Sequence, residues 1–348
     1  MRCLLILMLS FLLVPSSAVG LQETPSRSPK GSQPKGGERA NRGVKMRHRD
    51  SKVDILIAGE LFTTLDAATY KKPILYPIYA PGQTPMTRSW PMVSDAPGES
   101  RDHPHHKSLW TAHEISGIDF WAEKGGSIRT KNVESSFEEG HENAIRTTSQ
   151  WLKMGQTTPI LTDQTTYWFG GDQRSRWIEV LMQFDASHDA FQFDDTKEGL
   201  FAIRTHPDLR LKANSKAGVT QVFGKALNSE GIIGKDVWGK KSKWLFYYGD
   251  VNGDRVGIAI FDHPSNLRHP TTWHARDYGL IAANPFGLHH FLGSKKGTGA
   301  YQMDKGDRLS LRYRIEFFKG DVTPAELEST FQQFALEPLN PIGPLKDH

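Results

Sequence analysis

Cysteine is almost absent: the 348-residue chain has one, Cys3. It lies in an N-terminal apolar run. A chain cleaved after that run forms no disulfide and binds no metal through thiolate, so a large hydrophobic core must hold the fold. Long hydrophobic runs are also missing. The first one, Cys3 to Val14, is broken only by Ser10. It is about 12 residues long, against the roughly 20 that a membrane span needs. Arg2 precedes it, and Pro15, Ser16, Ser17, Ala18, Val19 and Gly20 follow it. That pattern predicts a secretory signal over residues 1–20, cut after Gly20, and a secreted or periplasmic protein. No later segment approaches transmembrane length.

Large apolar side chains are scarce over residues 21–52, which are rich in Ser, Pro, Gly, Lys and Arg. Such a stretch buries too little surface to offset its ordering entropy and predicts a basic disordered linker. It holds nine Lys or Arg against three acids, while the whole chain carries only +4. The rest is therefore net acidic, which predicts no nucleic-acid partner. The common catalytic motifs are missing too. There is no HExxH, no phosphate loop and no GxSxG. Asp250-Val-Asn252-Gly-Asp254 opens like a calcium loop but has Arg255 where glycine is needed.

What remains, residues 53–348, reads as one domain of short β-branched and aromatic segments bounded by Gly, Pro, Asp and Asn. Leu309, Leu311, Tyr313, Ile315 and Phe317 alternate with Arg312, Arg314 and Glu316, the period of a strand. Asn252-Gly253 between two apolar runs predicts a type I′ hairpin. One helix is clear. Thr323-Pro324-Ala325-Glu326 opens it with a cap, a first-turn proline and a capping-box acid, and Leu327, Phe331 and Phe334 share its face. Many strands without β-α alternation predict an all-β, large antiparallel β-sandwich of the supersandwich kind seen in mutarotases, with a short C-terminal helix.

Three polar stretches carry the candidate chemistry. The first runs from Arg101 to Trp110 and includes Asp102, His103, His105 and His106, with His113 close behind. Imidazole near its ordinary pKa serves acid–base catalysis or metal ligation. The second holds His263 and Asn266, then Trp273, His274, Arg276 and Tyr278. On a strand His274 and Arg276 share a face, opposite Trp273. The third is Lys197-Glu198-Gly199 followed by Ala202 and Arg204, again on one strand face. Glu198 and Arg204 either pair with each other or act together. His289 and His290 read as a loop pair.

These stretches resemble a bacterial family of exported proteins that carries the label methane oxygenase PmoA. The resemblance covers roughly residues 55–320, and it implies a setting of sugar processing. Three functions compete. A carbohydrate-active enzyme, a lyase, epimerase or hydrolase, would use His106 or His274 as base, Glu198 as acid and Arg204 or Arg276 to hold developing charge. His103, His105, His263, Asn266, Trp110, Trp273 and Tyr278 would then bind the sugar or other small-molecule substrate. A metal-dependent oxidase or hydrolase would hold a divalent metal through His103, His105, His106 and His113. A non-catalytic glycan-binding module would need the aromatics alone.

Overall fold

The computed structural model describes residues 43–135, 143–215, 218 and 221–339. The expected signal, residues 1–20, and the first part of the expected linker lie outside them.

Two eight-stranded antiparallel sheets make the body. The first runs in the order β1 (Val44–Arg49), β2 (Lys52–Ile57), β3 (Glu60–Asp66), β4 (Ile74–Ile78), β5 (Leu109–Thr111), β13 (Phe201–Arg204), β18 (Leu280–Asn284) and β17 (Thr272–Arg276). The second runs β14 (Lys225–Asn228), β15 (Trp244–Val251), β16 (Asp254–Asp262), β20 (Arg308–Lys319), β11 (Ser175–Asp185), β10 (Leu161–Gly171), β9 (Ala144–Lys153) and β8 (Gly126–Ser135). A small third sheet joins β19 (Tyr301–Met303), β12 (Phe191–Phe193), β6 (Glu114–Ile115) and β7 (Ile118–Asp119). All three feed one hydrophobic core. Phe201 of the first sheet stacks on Tyr313 of the second at 5.4 Å, and Phe62 meets Phe169 and Phe317 edge-on. The expected antiparallel sandwich is the observed architecture.

Strand β20 shows how the alternation works. Leu309, Leu311, Tyr313, Ile315 and Phe317 fill the core. The opposite face is not solvent-facing, as plain alternation suggests. Arg312 and Glu316 are buried there, and Glu179 binds Arg312 at 2.5 Å and Arg314 at 3.0 Å. Asn252 and Gly253 both have positive φ, 54° and 88°, and close the β15–β16 hairpin as expected. The C-terminal helix, Pro324–Ala335, carries the predicted capping box at Thr323 and Glu326. It follows the short helix α1 (Leu288–Leu292) and is α2 here. Leu327, Phe331 and Phe334 seat it on Trp244, Phe246, Ala259 and Phe261.

One boundary moves. Residues 44–49, assigned to the linker from sequence, form edge strand β1, paired with β2. Arg47 and Arg49 both bind buried Asp54, at 2.7 and 2.5 Å. The charges that made this segment look solvated are the partners of an interior carboxylate. No described helix is long and apolar enough to cross a membrane.

Candidate active site on the first sheet

The site grows from strand register. Trp110 pairs with Ala202, Ala202 with Ala282, and Ala282 with His274, so four adjacent strands place these residues in one row. Neighbouring strands lie about 4.8 Å apart, so two alanines leave a wide low gap between the indole and the imidazole. Trp121 fills it, 5.2 Å from Trp110 and 6.4 Å from His274 by ring centroids. Two residues along each strand, Arg204 and Arg276 project on the same side. Trp273 projects oppositely, fully buried in the core, with its indole N–H bound to the Ser242 carbonyl at 3.1 Å.

The loop before β5 folds over this face. Its anchor is Asp102. That carboxylate accepts Arg88 at 2.7 Å, Arg204 at 3.0 Å and Nδ1 of His103 at 3.1 Å. Burial acts to raise its pKa, but His103, Arg204 and Arg88 outweigh burial and hold it well below the usual range. Arg88 also binds the carbonyls of Ser100, Asp102 and His103, so the loop is tied to a buried cation. His103 and Ser108 sit in the left-handed region, at φ 48° and 55°. Backbone held there without glycine is over-determined by its surroundings. His103 stacks on His106 at 4.7 Å and on Tyr278 at 5.1 Å, and His106 stacks on Trp110 at 5.2 Å. Arg204 lies 4.5 Å from the Tyr278 ring and Arg276 5.7 Å from it.

A second carboxylate comes from the opposite side. Asn284 donates to the carbonyls of Thr196 and Lys197, at 2.9 and 3.1 Å, and fixes the segment that ends in Glu198. Glu198 binds Lys197 at 3.0 Å and stands 4.0 Å from Nδ1 of His274. It does not pair with Arg204, which is taken by Asp102. Gly199 is required there, because a Cβ would fall 1.9 Å from Nδ1 of His113.

Beneath the aromatics lies a charged layer. Lys72 is fully buried, binds Glu123 at 2.8 Å and the Trp121 carbonyl at 3.0 Å, and stands 5.6 Å from the Trp110 ring. Burial lowers it to about 8, against the pull of Glu123. Lys107 shares that carboxylate at 2.7 Å.

The electrostatics assign the histidines. Burial, with Arg276 and Lys197 next, lowers His274 to about 3. Burial and then Lys72 lower His105 to about 3. Burial, His105 and Arg204 push His106 far below its ordinary value. All three are neutral at pH 7. His106 is not the base that its sequence position suggested. Arg204 stands 3.2 Å from its Nδ1, and a guanidinium only donates, so Nδ1 accepts and Nε2 carries the proton. His103 is oriented the other way. Its Nδ1–H donates to Asp102, and Nε2 has no hydrogen-bond partner among the described residues, on a side chain 39% exposed. Arg204 is likewise a positioning group rather than a free cation. Arg276 has no carboxylate partner among the described residues.

Four polar atoms of the floor are buried without a hydrogen bond: Nε2 of His106, Nε1 of Trp110, Nε1 of Trp121 and Nδ1 of His274. Orphans of this kind are uncommon in native interiors. Their gathering at one place marks the site more sharply than any motif.

Several expected members fall elsewhere. His263 bonds the Glu337 carbonyl at 2.8 Å and packs on Phe334 of α2. Asn266 bonds Asp262 and the backbone of Arg312, at 2.8 and 2.7 Å. Both lock the loop after β16, away from the aromatic row. His113 faces Phe193 and Phe286, and its Nε2–H donates to the Asp194 carbonyl at 2.8 Å. The proposed ligand set of His103, His105, His106 and His113 therefore does not converge. No three His, Cys, Asp or Glu among the described residues are grouped to hold a metal ion. Sequence reasoning missed Arg88, Lys72 and Glu123 as site members and gave Lys107, within the first polar stretch, no role. Arg88 and Lys72 stand in stretches that only tertiary structure brings under the aromatic row.

The family model described as "Family of unknown function (DUF6807)" matches residues 52–332. No curated protein matches the chain. Among solved structures it is similar to a polysaccharide lyase, at 9% identity and a TM-score of 0.31, with 84% of this chain covered and 34% of that one. The chain thus spans about a third of the lyase. It is similar also to a galactose mutarotase-like protein from Lactobacillus casei ATCC 334, at 8% identity and a TM-score of 0.33, covering 79% of this chain and 100% of that one. A galactose mutarotase related enzyme from Lactobacillus acidophilus matches at 8% identity and a TM-score of 0.31, over 80% of this chain and 98% of that one.

Proposed function

The chain belongs to the family of unknown function DUF6807, and for this member we propose general acid–base catalysis on a carbohydrate by an exported enzyme. The observation that carries the reading is the Asp102–His103 pair beside a floor of unpartnered polar atoms. Asp102 holds Nδ1–H of His103, which leaves the Nε2 lone pair exposed to take a proton from a sugar C–H or O–H. The electron pair left behind moves onto a substrate oxygen. Arg276, the cation without a carboxylate partner, stabilises that charge. Glu198, beside His274 and across the aromatic row, is the second proton-transfer group. The exposed ring of His103 and the half-buried ring of Tyr278 are the aromatic surfaces open to a pyranose, and Trp110, Trp121, His106 and His274 with their orphaned polar atoms are buried. The sugar-processing setting implied by the family resemblance agrees. The methane-oxygenase label draws no support from this site, because His103, His106 and His113 bond Asp102, Arg204 and the Asp194 carbonyl rather than meeting at a common point.

A panel of sugars in heavy water tests the reading. Neutral sugars, uronates and their oligomers are incubated with enzyme in D2O and followed by NMR. Proton transfer at carbon incorporates deuterium, and ring opening accelerates exchange between anomers. We expect one class to react, and His103→Ala to abolish the reaction. Binding without exchange would replace this reading with a glycan-binding module.

A further inference from the structure

A second site lies on the edge of the other large sheet. Ser127, Arg129 and Lys131 of β8, Gln150 and Leu152 of β9, and the turn from Lys153 to Thr157 line a concavity of about 630 Å³ together with Lys71. Two further concavities continue it on both sides, of about 410 and 640 Å³, sharing Lys71, Ser127 and Arg129 with one and Lys153 and Gly155 with the other. The groove is thus longer than one sugar unit.

Its charge is one-sided. Lys71, Arg129, Lys131 and Lys153 line the central concavity, and no acid does; Asp189, in one extension, is the one acid among the three linings. None of the four is ion-paired to a described residue. Lys71 donates to the Glu123 carbonyl at 2.9 Å and Arg129 to the Ser127 hydroxyl at 3.4 Å. The sequence beyond residue 52 is net acidic, so an all-basic central concavity runs against the composition around it. The remaining lining is Ser127, Gln150, Gln156 and Thr157, side chains that bond hydroxyls, with Leu152 and Met154 as apolar contacts.

We propose that this groove binds an acidic polysaccharide, a chain bearing a carboxylate or sulfate on successive units. Charge complementarity selects a polyanion. Single-stranded nucleic acid is the other polyanion of this girth, but it binds on successive aromatic stacking platforms; the central concavity has no aromatic side chain, and Tyr70, in one extension, is the one aromatic among the three linings. The groove also shares a wall with the first sheet's site. Lys71 binds the backbone of Glu123, whose side chain holds Lys72 and Lys107 under Trp110 and Trp121. The assignment stands without the acid–base reading, since a groove can capture a polymer whatever the neighbouring site does.

Binding is measured by titrating the intact chain with polygalacturonate, chondroitin sulfate, neutral pullulan and a single-stranded oligonucleotide, at low and high salt. We expect an acidic polysaccharide to bind at low salt and to be released at high salt. Pullulan should not bind in the groove. The triple variant Arg129→Ala, Lys131→Ala, Lys153→Ala should bind about tenfold more weakly or worse. All three side chains are exposed or at the sheet edge, and an unchanged melting curve verifies the fold. The single reversal Arg129→Glu should act in the same direction. Binding to neither acidic polysaccharide, undiminished binding in the triple variant, or tighter binding of the oligonucleotide would overturn the proposal. Catalytic failure of the first site would leave all of these outcomes unchanged.

Discussion

Arg204 donates to Nδ1 of His106 across 3.2 Å, and this contact decides the tautomer of the most buried imidazole in the site. A guanidinium has no lone pair to offer, so the proton of neutral His106 must sit on Nε2. Nitrogen-15 NMR of labelled protein should show the Nε2–H form near neutral pH. Arg204→Met should release that preference. An Nδ1–H signature in the parent protein would contradict the arrangement and reopen His106 as a base.

Catalysis should follow the exposed imidazole. His103→Ala, and Asp102→Asn through loss of orientation, should each lower kcat by about 10²–10⁴ in the deuterium-exchange assay. His289→Ala, whose Nδ1 is 2.7 Å from the Ser294 carbonyl, should leave the rate nearly unchanged. If His289→Ala costs as much as His103→Ala, the site is misplaced.

Gly199 and His113 should be energetically coupled. The Cβ of Gly199→Ala meets Nδ1 of His113 at 1.9 Å, an overlap the packed interior cannot absorb. We expect a loss of about 1–3 kcal/mol in urea unfolding. His113→Ala makes room, so the double variant should lose less than the two single variants together. Strict additivity would show that the two sites do not touch.

The charged layer should depend on its single anion. Glu123→Gln leaves Lys72 and Lys107 together under the indoles without a counter-charge. Removal of one partner from such a buried group costs about 3–5 kcal/mol. Lys72→Met should cost less, because Lys107 still neutralises Glu123. The reverse order in urea midpoints would refute this account of the layer.

Acid should weaken the fold before carboxylates titrate. Unfolded histidine titrates near about 6.5. In the folded chain burial lowers His105 and His274 to about 3 and His113 to about 4, and it holds His106 well below its ordinary value. Below pH 6.5 the unfolded chain takes up protons that the folded chain refuses. Stability is therefore full above pH 6.5 and falls toward pH 4, by up to about 1.4 kcal/mol per histidine per pH unit. Asp163, raised to about 6 by burial, works in the opposite direction, because its folded form accepts a proton first. The histidines outnumber it. A urea midpoint that stays level or rises from pH 6.5 to 4 would overturn this balance.

Export is tested at the N-terminus. Sequencing of protein recovered outside the cytoplasm should begin near Leu21. Recovery with Met1 intact would remove the signal.

Much of this molecule is legible in its residue order. Alternation marks the strands, Asn252-Gly253 a hairpin, and the cap at Thr323 helix α2, because each is a local rule. Period two also puts Arg204 and Ala202, and His274 and Arg276, on shared faces. The partners are not legible. Whether Asp102 or Glu198 meets Arg204 depends on strand order, and β5, β13, β18 and β17 come together from residues 109 to 284. His263 and Asn266 look like site residues because they cluster in sequence with His274, yet β16 and β17 belong to different sheets. Strand β1 is hidden by its own charges, since Arg47 and Arg49 reach a carboxylate that is buried only after folding.

Ala202 and Ala282 carry no polar group, yet in the proposed acid–base reading their small size acts as a gauge. Each methyl keeps Trp121 low between Trp110 and His274. A valine or leucine at either position would lift the indole and narrow the space above it, with every ionisable group still in place. On that reading, selectivity would shift at two silent positions with His103, Glu198 and Arg276 unchanged.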